Sequence, residues 1–264
     1  MKIDHKESIE DFGNQFVVDS NIDDYWGSNE MLKDIVYPFE LKNIENKLVM
    51  EVGSGSGRII KNLLKYNPKK IIAVEPSKAI EVAKKNNLKN LEKINFLNIK
   101  GENIKFENEL DFIFSLGVIH HIPNGNIVCE KIYRSLKPNG KFLIWLYGHE
   151  GNEVYLLIFN NLRRISRLLP DFFLRFFCNL LNIFASIYIL FCFAIKLPMR
   201  DYMLNVFRKC SFKKRNYIIF DQLNPSFSKY YKKLEVEDLL KDSGFKKIKI
   251  YSRHNYSWFA IAEK

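Results

Sequence analysis

Three glycines on alternate positions are the first feature of this sequence that could bind a ligand. Gly53, Gly55 and Gly57 come directly after the apolar run 48–52, which has the length and composition of a buried strand. Because glycine has no Cβ, its backbone can turn tightly and lets a ligand approach closely. Apolar residues then return at helical spacing over residues 59–64. Strand, glycine turn and helix together predict the first unit of a nucleotide-binding α/β sheet.

Two carboxylates lie close to this turn in the predicted fold. Glu51 is inside the end of the first strand, and Glu75 follows the second apolar run, residues 70–74. An acidic side chain at the end of the second strand can accept hydrogen bonds from both hydroxyls of a ribose.

Two adjacent histidines, His120 and His121, are the side chains best suited to proton transfer. Histidine can act as a base near neutral pH, and the pair follows the apolar run 111–115 in a turn that ends at Pro123-Asn124. A histidine in such a turn can also be structural or only line a pocket, so both interpretations stay open. A reaction that transfers a group to a nitrogen atom would need no strong base.

The elements that must position these residues alternate between strand and helix. Such alternation predicts a parallel sheet covered by helices on both faces. Asn67-Pro68 and Lys137-Pro-Asn-Gly140 end two of the helices, because proline and glycine interrupt helical hydrogen bonding. The predicted strands are 48–52, 70–74, 94–99, 111–115, 141–146, 245–252 and 256–262, and the predicted helices include 31–41, 58–66, 79–89, 127–136 and 235–242.

The motif Glu51-Val-Gly-Ser-Gly-Ser-Gly57 resembles the first motif of the class I S-adenosylmethionine-dependent methyltransferases. Residues 110–124, with their double histidine, and Lys137-Pro-Asn-Gly140 resemble later motifs of the same family. The resemblance covers about residues 40–147. It implies an α/β fold with a Rossmann-like seven-stranded sheet in the order 3-2-1-4-5-7-6, strand 7 antiparallel, and a helical insertion after strand 5.

The same resemblance implies S-adenosyl-L-methionine as the cofactor and no metal. Glu51 would hold the cationic amino acid end of the cofactor and Glu75 its ribose. In several O-methyltransferases of this kind a histidine of the double-histidine turn is the general base, so His120 and His121 are the catalytic candidates, with His120 slightly favoured. The residues assigned to the cofactor are Glu51, Gly53, Ser54, Gly55, Ser56, Gly57, Glu75, Pro76, Ser77, Gly101, Glu102, Ser115, Leu116 and Gly117.

The sequence departs from the family pattern at two positions. Lys100 stands where an acidic residue commonly takes the adenine amino group, so either Glu102 reaches the base or the backbone of the Lys100–Gly101 turn does. Leu146 stands where such O-methyltransferases often carry an acid, and His149 or Glu150 could substitute for it. The polar cluster Tyr147-Gly-His-Glu-Gly-Asn152 is a candidate for acceptor contact or a capping loop for the next helix.

The predicted organisation is an N-terminal cap (1–40), a methyltransferase core (41–150 and 216–264) and a helical insertion or lid (151–215). The cap, with Phe12, Phe16 and Trp26, either folds over the cofactor or covers a sheet edge. Within the basic insertion, residues 180–195 are nearly all apolar and fall short of the roughly 20 residues needed to span a bilayer. This helix is a buried lid, an interfacial membrane helix with contact through 176–197, or a dimer surface. The lid is favoured because the family commonly builds its acceptor pocket from such an insert.

Composition limits the partners and the location. The net charge of +11 fits a solvated basic surface, an anionic substrate or an anionic membrane face. There is no arginine-rich tract with interleaved aromatics, so we expect no nucleic-acid partner. Four well-separated cysteines predict reduced thiols, and the polar N-terminus lacks the apolar core of a signal peptide. We therefore expect a cytoplasmic protein, with membrane association as the alternative; the sequence does not indicate an oligomeric state.

The favoured function is methyl transfer from S-adenosylmethionine to a small-molecule acceptor, with O-methylation of a sugar, polysaccharide precursor or secondary metabolite preferred. A first alternative is a methyltransferase that acts on a lipid or lipid-linked acceptor at the membrane surface. A second is a non-catalytic binding protein with a degenerate methyltransferase fold, suggested by Lys100 and Leu146. A nicotinamide-dependent oxidoreductase is disfavoured because the glycine spacing is not GxGxxG.

Overall fold

A seven-stranded sheet forms the centre of the protein. The computed structural model describes residues 9–10, 13–14, 16, 24–166, 170–223 and 227–264. The strands are β1 (Leu48–Val52), β2 (Lys70–Val74), β3 (Ile94–Leu97), β4 (Leu110–Leu116), β5 (Leu136–Tyr147), β6 (Lys247–Arg253) and β7 (Ser257–Glu263). Their order is β3-β2-β1-β4-β5-β7-β6, with β1 to β5 parallel and β7 antiparallel to both neighbours. This confirms the predicted fold class and strand order.

Helices cover both faces of the sheet. The helices of the core are α1 (Asn29–Val36), α2 (Arg58–Leu63), α3 (Ala79–Asn86), α4 (Gly125–Ser135) and α9 (Lys233–Asp242). Buried side chains of α1 and α2 belong to one core cluster, and those of α4 and α9 belong to another on the opposite face. α1 begins after Ser28, whose hydroxyl accepts the N–H of Met31 at 3.0 Å. It ends at Val36, before Pro38, and is thus shorter than the predicted helix 31–41.

The parallel strands bring five connecting segments to one edge of the sheet. β1 is central, paired with β2 and β4, and its last four residues are buried. Because parallel strands share one carboxyl edge, the segments that follow β1 to β5 meet there. These segments contain the glycine turn, Glu75, the Lys100–Gly101 turn, the double histidine and Tyr147.

The described part of the insertion after β5 contains four α-helices. They are α5 (Glu153–Ser166), α6 (Asp171–Ala194), α7 (Arg200–Asn205) and α8 (Phe212–Leu223). Buried residues of α6, α7 and α8 join the same cluster as α1 and α2, so the insertion packs on that face of the core. The boundary predicted between residues 215 and 216 falls inside α8. Residues 220–223 form the last turn of α8, and 224–226 lie outside the described residues.

The predicted N-terminal cap is described only in part. Phe12 and residues 17–23 lie outside the described residues, whereas Phe16 and Trp26 are described. A Cβ placed on Gly55 would lie 3.1 Å from the Phe16 ring, and the Trp26 ring packs edge-on against Trp145 of β5 with centroids 6.4 Å apart. Both aromatic side chains therefore lie over the carboxyl edge of the sheet.

Candidate active site

A cavity of about 690 Å³ lies at the carboxyl edge of the parallel strands. The glycine turn and Glu75 line one part of it, and side chains from all four helices of the insertion line another. Phe16 and Trp26 of the N-terminal segment also face it. Three separate regions of the sequence therefore enclose one space, whose size is typical of a small-molecule site.

The glycine turn has a backbone shape that other residues would strain. Gly53 has φ +80°, and a Cβ there would lie 2.4 Å from the Val118 side chain. Gly57 has φ +79° and a Cβ there would lie 2.6 Å from Asn87 Nδ2. Gly53, Ser54, Gly55 and Ser56 line the cavity, but Gly57 does not. Gly57 instead allows the start of α2 to pack closely against α3.

Glu75 is buried and held in a fixed orientation at the end of β2. Its Oε2 accepts the N–H of Gly55 at 2.9 Å, and its Oε1 accepts the N–H and hydroxyl of Ser77 at 3.0 and 2.6 Å. A carboxylate has about four acceptor positions, so Glu75 can still accept hydrogen bonds from a ligand diol. Glu75 and Pro76 line the cavity, whereas Ser77 does not and acts by orienting Glu75.

Glu51 is a buried carboxylate at the end of β1. It lines the cavity and is 2% exposed. Within the described part of the chain, its Oε2 has no hydrogen-bond partner. Burial raises the pKa of Glu51 well above its usual value, and the negative charge of Glu75 adds to this while Arg58 opposes it. A cationic group in the cavity would remove this cost, because an unpaired buried charge is unfavourable.

Some of the residues assigned to the cofactor near the ends of β3 and β4 line the cavity, and others do not. Lys100 and Gly101 line the cavity but Glu102 does not, so the backbone of this turn is the nearer of the two predicted adenine contacts. Leu116 and Gly117 line the cavity. Ser115 is fully buried and donates its hydroxyl to the Val52 carbonyl at 3.2 Å. Ser115 therefore ties β4 to β1 and does not face the ligand.

The two histidines have different surroundings. His120 is fully buried, does not line the cavity and stacks on Tyr147 with ring centroids 3.9 Å apart. Burial holds the pKa of His120 well below its usual range, and the charge of His121 lowers it further. This placement is at odds with the preference for His120 as the base, because its ring does not reach the cavity. His121 does line the cavity, with Nδ1 3.0 Å from the Phe227 carbonyl oxygen.

A hydrogen-bonded tyrosine cluster forms part of the cavity wall away from the glycine turn. Gln222 Oε1 accepts the hydroxyls of Tyr155 and Tyr230 at 2.8 and 2.7 Å, and its Nε2 donates to Tyr147 Oη at 3.1 Å. All four side chains, and Asp221 beside them, line the cavity. Tyr147 lies in the polar segment 147–152 that the sequence marked for acceptor contact, and Tyr155 lies in the predicted lid. Gln222 and Tyr230 carry no spacing signal, because Gln222 meets Tyr155 across 67 residues of sequence.

Other polar candidates lie outside the cavity. Glu150 is exposed and accepts the N–H of Lys233 at 2.9 Å, and neither it nor His149 lines the cavity. The structure thus does not place either one where the missing acid at Leu146 would act. All four cysteines are buried and free, and burial raises the pKa of Cys129 to about 12. Across the described ranges, no group of three or more His, Cys, Asp or Glu residues could hold a metal ion.

The part of the cavity that is lined by Glu51, Glu75 and the glycine turn, here called the cofactor end, fits S-adenosylmethionine. The cofactor has an ammonium group, for which Glu51 Oε2, unpartnered among the described residues, is a suitable acceptor, and a ribose diol, for which Glu75 is held ready. The glycine turn supplies close backbone approach at Gly53, where a side chain has no room.

Comparison with known proteins agrees with this fit. Residues 50–144 match the family model described as a methyltransferase domain. The chain is 27% identical over 170 residues to tRNA U34 carboxymethyltransferase of Aliarcobacter butzleri (strain RM4018), covering 60% of this chain and 51% of the relative. It is 32% identical over 145 residues to O-methyltransferase 3 of Dictyostelium discoideum, covering 50% and 32%. The chain spans about half or less of the length of the curated relatives it matches.

A solved structure shows the same fold. Human N-acetylserotonin methyltransferase in complex with S-adenosylmethionine superposes with a TM-score of 0.54 at 15% identity, covering 99% of this chain and 56% of that one. The family match, the strand order and the cofactor end of the cavity lead to one conclusion. Residues 50–144 carry a methyltransferase domain, and the chain is similar in fold to the class I, S-adenosylmethionine-dependent methyltransferases.

Proposed function

We propose that this protein transfers a methyl group from S-adenosylmethionine to a hydroxyl oxygen of a small-molecule acceptor. The observation that carries the proposal is the shared cavity. Glu51, Glu75, His121 and the cluster around Gln222 all line the same space. A cofactor and an acceptor can thus occupy one enclosed site, which removes the entropic cost of bringing them together during the reaction.

The cofactor end of the cavity would bind and orient S-adenosylmethionine. Glu51 would pair with the ammonium of the cofactor, Glu75 would accept from its ribose hydroxyls, and the backbone of Lys100–Gly101 would lie against its base. When bound, S-adenosylmethionine supplies a methyl group on a cationic sulfur, and its transfer leaves a neutral thioether. The protein's remaining tasks are to align the acceptor, exclude water and remove the hydroxyl proton.

His121 is the residue that we assign to proton removal. A carbonyl oxygen only accepts hydrogen bonds, so the 3.0 Å contact with the Phe227 carbonyl places the proton of the neutral ring on Nδ1. Nε2 then carries the lone pair that can accept the hydroxyl proton of the acceptor. The hydroxyls of Tyr147, Tyr155 and Tyr230, oriented by Gln222, supply polar contacts that would align the acceptor.

A tRNA acceptor is the second candidate. Four of the curated relatives are named tRNA U34 carboxymethyltransferases, and the net charge of +11 suits a polyanion. The enclosed aromatic cavity favours a small molecule instead, because a tRNA nucleotide would have to enter between the insertion and the core. The experiment below separates the two acceptors.

The test combines cofactor binding with methyl transfer. Calorimetry should show that S-adenosylmethionine binds, and a radiolabelled methyl group should pass to a hydroxylated member of a panel of sugars, nucleotide sugars and polyols. His121→Ala should lower kcat by roughly 10²- to 10⁴-fold while cofactor affinity is kept. His149→Ala, which changes a histidine outside the cavity, is the matched control and should leave kcat unchanged.

Three results would contradict the proposal at different points. Absence of cofactor binding would remove the enzymatic assignment and favour a degenerate binding protein. Transfer of the label to bulk tRNA and to none of the small molecules would establish the second candidate. Equal kcat for His121→Ala and the natural sequence would remove His121 as the base.

A further inference from the structure

The long helix of the insertion exposes an unusually large apolar surface. Ten large apolar side chains of α6 are exposed, half of the 20 found in the described chain. With side chains of roughly 200 Å² each, this face presents on the order of 1,000 Å², whereas monomers rarely expose patches above a few hundred. We call these ten exposed side chains together the α6 apolar face; they include Phe172, Phe176, Leu180, Ile183, Ile187 and Leu190.

The opposite side of α6 packs against the rest of the protein. Leu174, Cys178, Ile189 and Cys192 are buried in the core cluster, and Asn182 donates to the Phe212 carbonyl at 2.8 Å. The helix is long and apolar enough to cross a membrane by length and composition. Crossing would break these contacts and leave Asn182 in hydrocarbon, which is costly. A helix packed on one side and apolar on the other suits a position along a membrane surface.

The insertion that contains this face is strongly basic. Residues 153–223 hold eleven Lys and Arg but four Asp and Glu, a net charge of +7 out of +11 for the chain. Arg175, Lys196 and Lys213 are exposed along and beside α6. The Arg208 guanidinium lies 5.2 Å from the centre of the exposed Phe193 ring. Such a combination of apolar and basic groups matches a bilayer with anionic headgroups.

The entrance of the cavity adjoins the same surface. Phe184 of the α6 apolar face and Val154 and Ile158 of α5 are each more than half exposed, and all three also line the cavity. They therefore form an apolar rim that faces outward. If this surface docks on a membrane, the entrance of the cavity would open toward the hydrocarbon side of the headgroup region.

We infer that the α6 apolar face docks on an anionic membrane surface, so that the cavity receives an amphiphilic acceptor from the bilayer. The acceptor would place its hydroxylated headgroup at the Gln222 cluster while its acyl part leaves between Phe184 and Ile158. Membrane docking stands on the surface alone, and the assignment of a lipid acceptor rests on the proposed function.

Vesicle co-sedimentation tests the docking step. The full chain should pellet with phosphatidylcholine vesicles that contain about 30% phosphatidylglycerol, and at least tenfold less should pellet without the anionic lipid. The double variant Phe176→Glu/Leu190→Glu should bind at least tenfold more weakly, because both side chains lie outside the cavity and on the docking face. Leu88→Glu/Leu234→Glu adds the same charge at exposed leucines elsewhere and should bind like the natural sequence.

The basic residues have a matched control as well. Arg175→Gln/Lys196→Gln/Lys213→Gln should lower binding to anionic vesicles at least tenfold. The variant Lys69→Gln/Lys85→Gln/Lys89→Gln removes the same charge from exposed lysines of the core. Equal loss in both triple variants would show that net charge alone is responsible and would overturn a specific docking face.

Further outcomes separate the occupants. Failure of the natural chain to bind either vesicle, with cofactor binding intact, overturns docking and leaves the proposed function standing. A dimer in solution that Phe176→Glu/Leu190→Glu dissociates would identify a second copy as the occupant and also overturns it. With labelled S-adenosylmethionine and vesicles, label should appear in the organic extract. Label confined to water-soluble acceptors or tRNA overturns the lipid acceptor.

Discussion

At the scale of single residues, burial and charge conflict most strongly at Glu51. Its carboxylate is 2% exposed and its Oε2 has no hydrogen-bond partner in the described structure. Burial raises the pKa of Glu51, and the nearby Glu75 adds to this, so in the ligand-free protein Glu51 takes up its proton at a higher pH than an ordinary glutamate does. A bound ammonium favours the ionised form and lowers the pKa again. Binding of a cationic ligand and release of a proton are therefore linked.

We predict that cofactor affinity rises with pH in the acidic range because of Glu51. The raised pKa means that a proton must leave before the ammonium can pair, so affinity should increase as the pH rises above the usual glutamate range and stays below the range where an α-amino group loses its own proton. Glu51→Gln should weaken binding by about 10- to 100-fold and remove this pH dependence. Calorimetry in buffers of different ionisation enthalpy measures both the affinity and the proton release.

The matched control is Glu45→Gln, which changes an exposed carboxylate outside the cavity. It should keep both the affinity and the proton release of the natural sequence. Proton release that persists in Glu51→Gln would show that another group in the cavity titrates on binding.

At the scale of elements, one carboxylate connects α1 with the turn between β6 and β7. The carboxylate of Asp34 is paired with Arg253 through Oδ1, and Oδ2 lies 2.9 Å from His254 Nε2. Burial by itself raises the pKa of Asp34, but the hydrogen bonds and charges of His254 and Arg253 outweigh it and lower the pKa below its usual value. This contact fixes the first helix of the core against the hairpin at the far end of the chain.

We predict a stability loss of about 1 to 2 kcal/mol for Asp34→Asn at neutral pH, from the loss of charge-assisted hydrogen bonds. The melting temperature should fall by roughly 2 to 8 °C. Because the folded-state pKa is lowered, the contribution is fully present above the usual aspartate range and is lost as pH falls through that range to the lowered value. Thermal melts at pH 7 and near pH 3 check this.

The difference between Asp34→Asn and the natural sequence should thus be large at pH 7 and small near pH 3. Asp238→Asn, at an exposed position on α9, serves as the control and should change the melting temperature little at either pH. A difference that does not depend on pH would mean that packing, and not the ionised carboxylate, holds α1 in place.

The elements of the core could be predicted from the sequence more closely than those of the insertion. β1 and β2 were predicted to the residue, because each is a short apolar run with polar or glycine residues at both ends. α6 begins at Asp171, well before the predicted apolar run at 180, because Phe172, Phe173 and Phe176 extend the helix past the interruption at Arg175. Local composition therefore identified the apolar centre of this helix but not its length.

The same contrast holds for the two ends of the cavity. The cofactor end is made of residues next to the ends of successive strands, so their spacing in sequence reports their position in space. Tyr155, Gln222 and Tyr230 meet only because α5 and α8 fold back over β5. Gln222 lies 67 residues from Tyr155 and 75 from Tyr147, and no local pattern indicates such contacts. For the same reason the burial of His120 behind Tyr147 could not be predicted from the double-histidine turn.

At the scale of the whole molecule, one cavity joins three parts of the chain. Phe16 and Trp26 from the N-terminal segment, the glycine turn of the core and Tyr202 of the insertion all line it. A ligand in this space binds only the arrangement in which all of these walls are in place. Binding energy is then shared among segments that the sequence separates by more than 100 residues, which couples their opening motions.

We predict that S-adenosylmethionine slows amide hydrogen exchange in the insertion as well as in the glycine turn. At 100 times the dissociation constant, binding stabilises the closed arrangement by about 2.7 kcal/mol, or roughly 100-fold in exchange rate for segments that must open with the cavity. Peptides covering 24–27, 53–57 and 198–203 should all be protected. α9, whose residues lie outside the cavity on the opposite face of the sheet, is the internal reference and should change least. Protection limited to 51–57 and 74–77 would show that the insertion opens independently of the cofactor site, and the acceptor end would then assemble only when the acceptor binds.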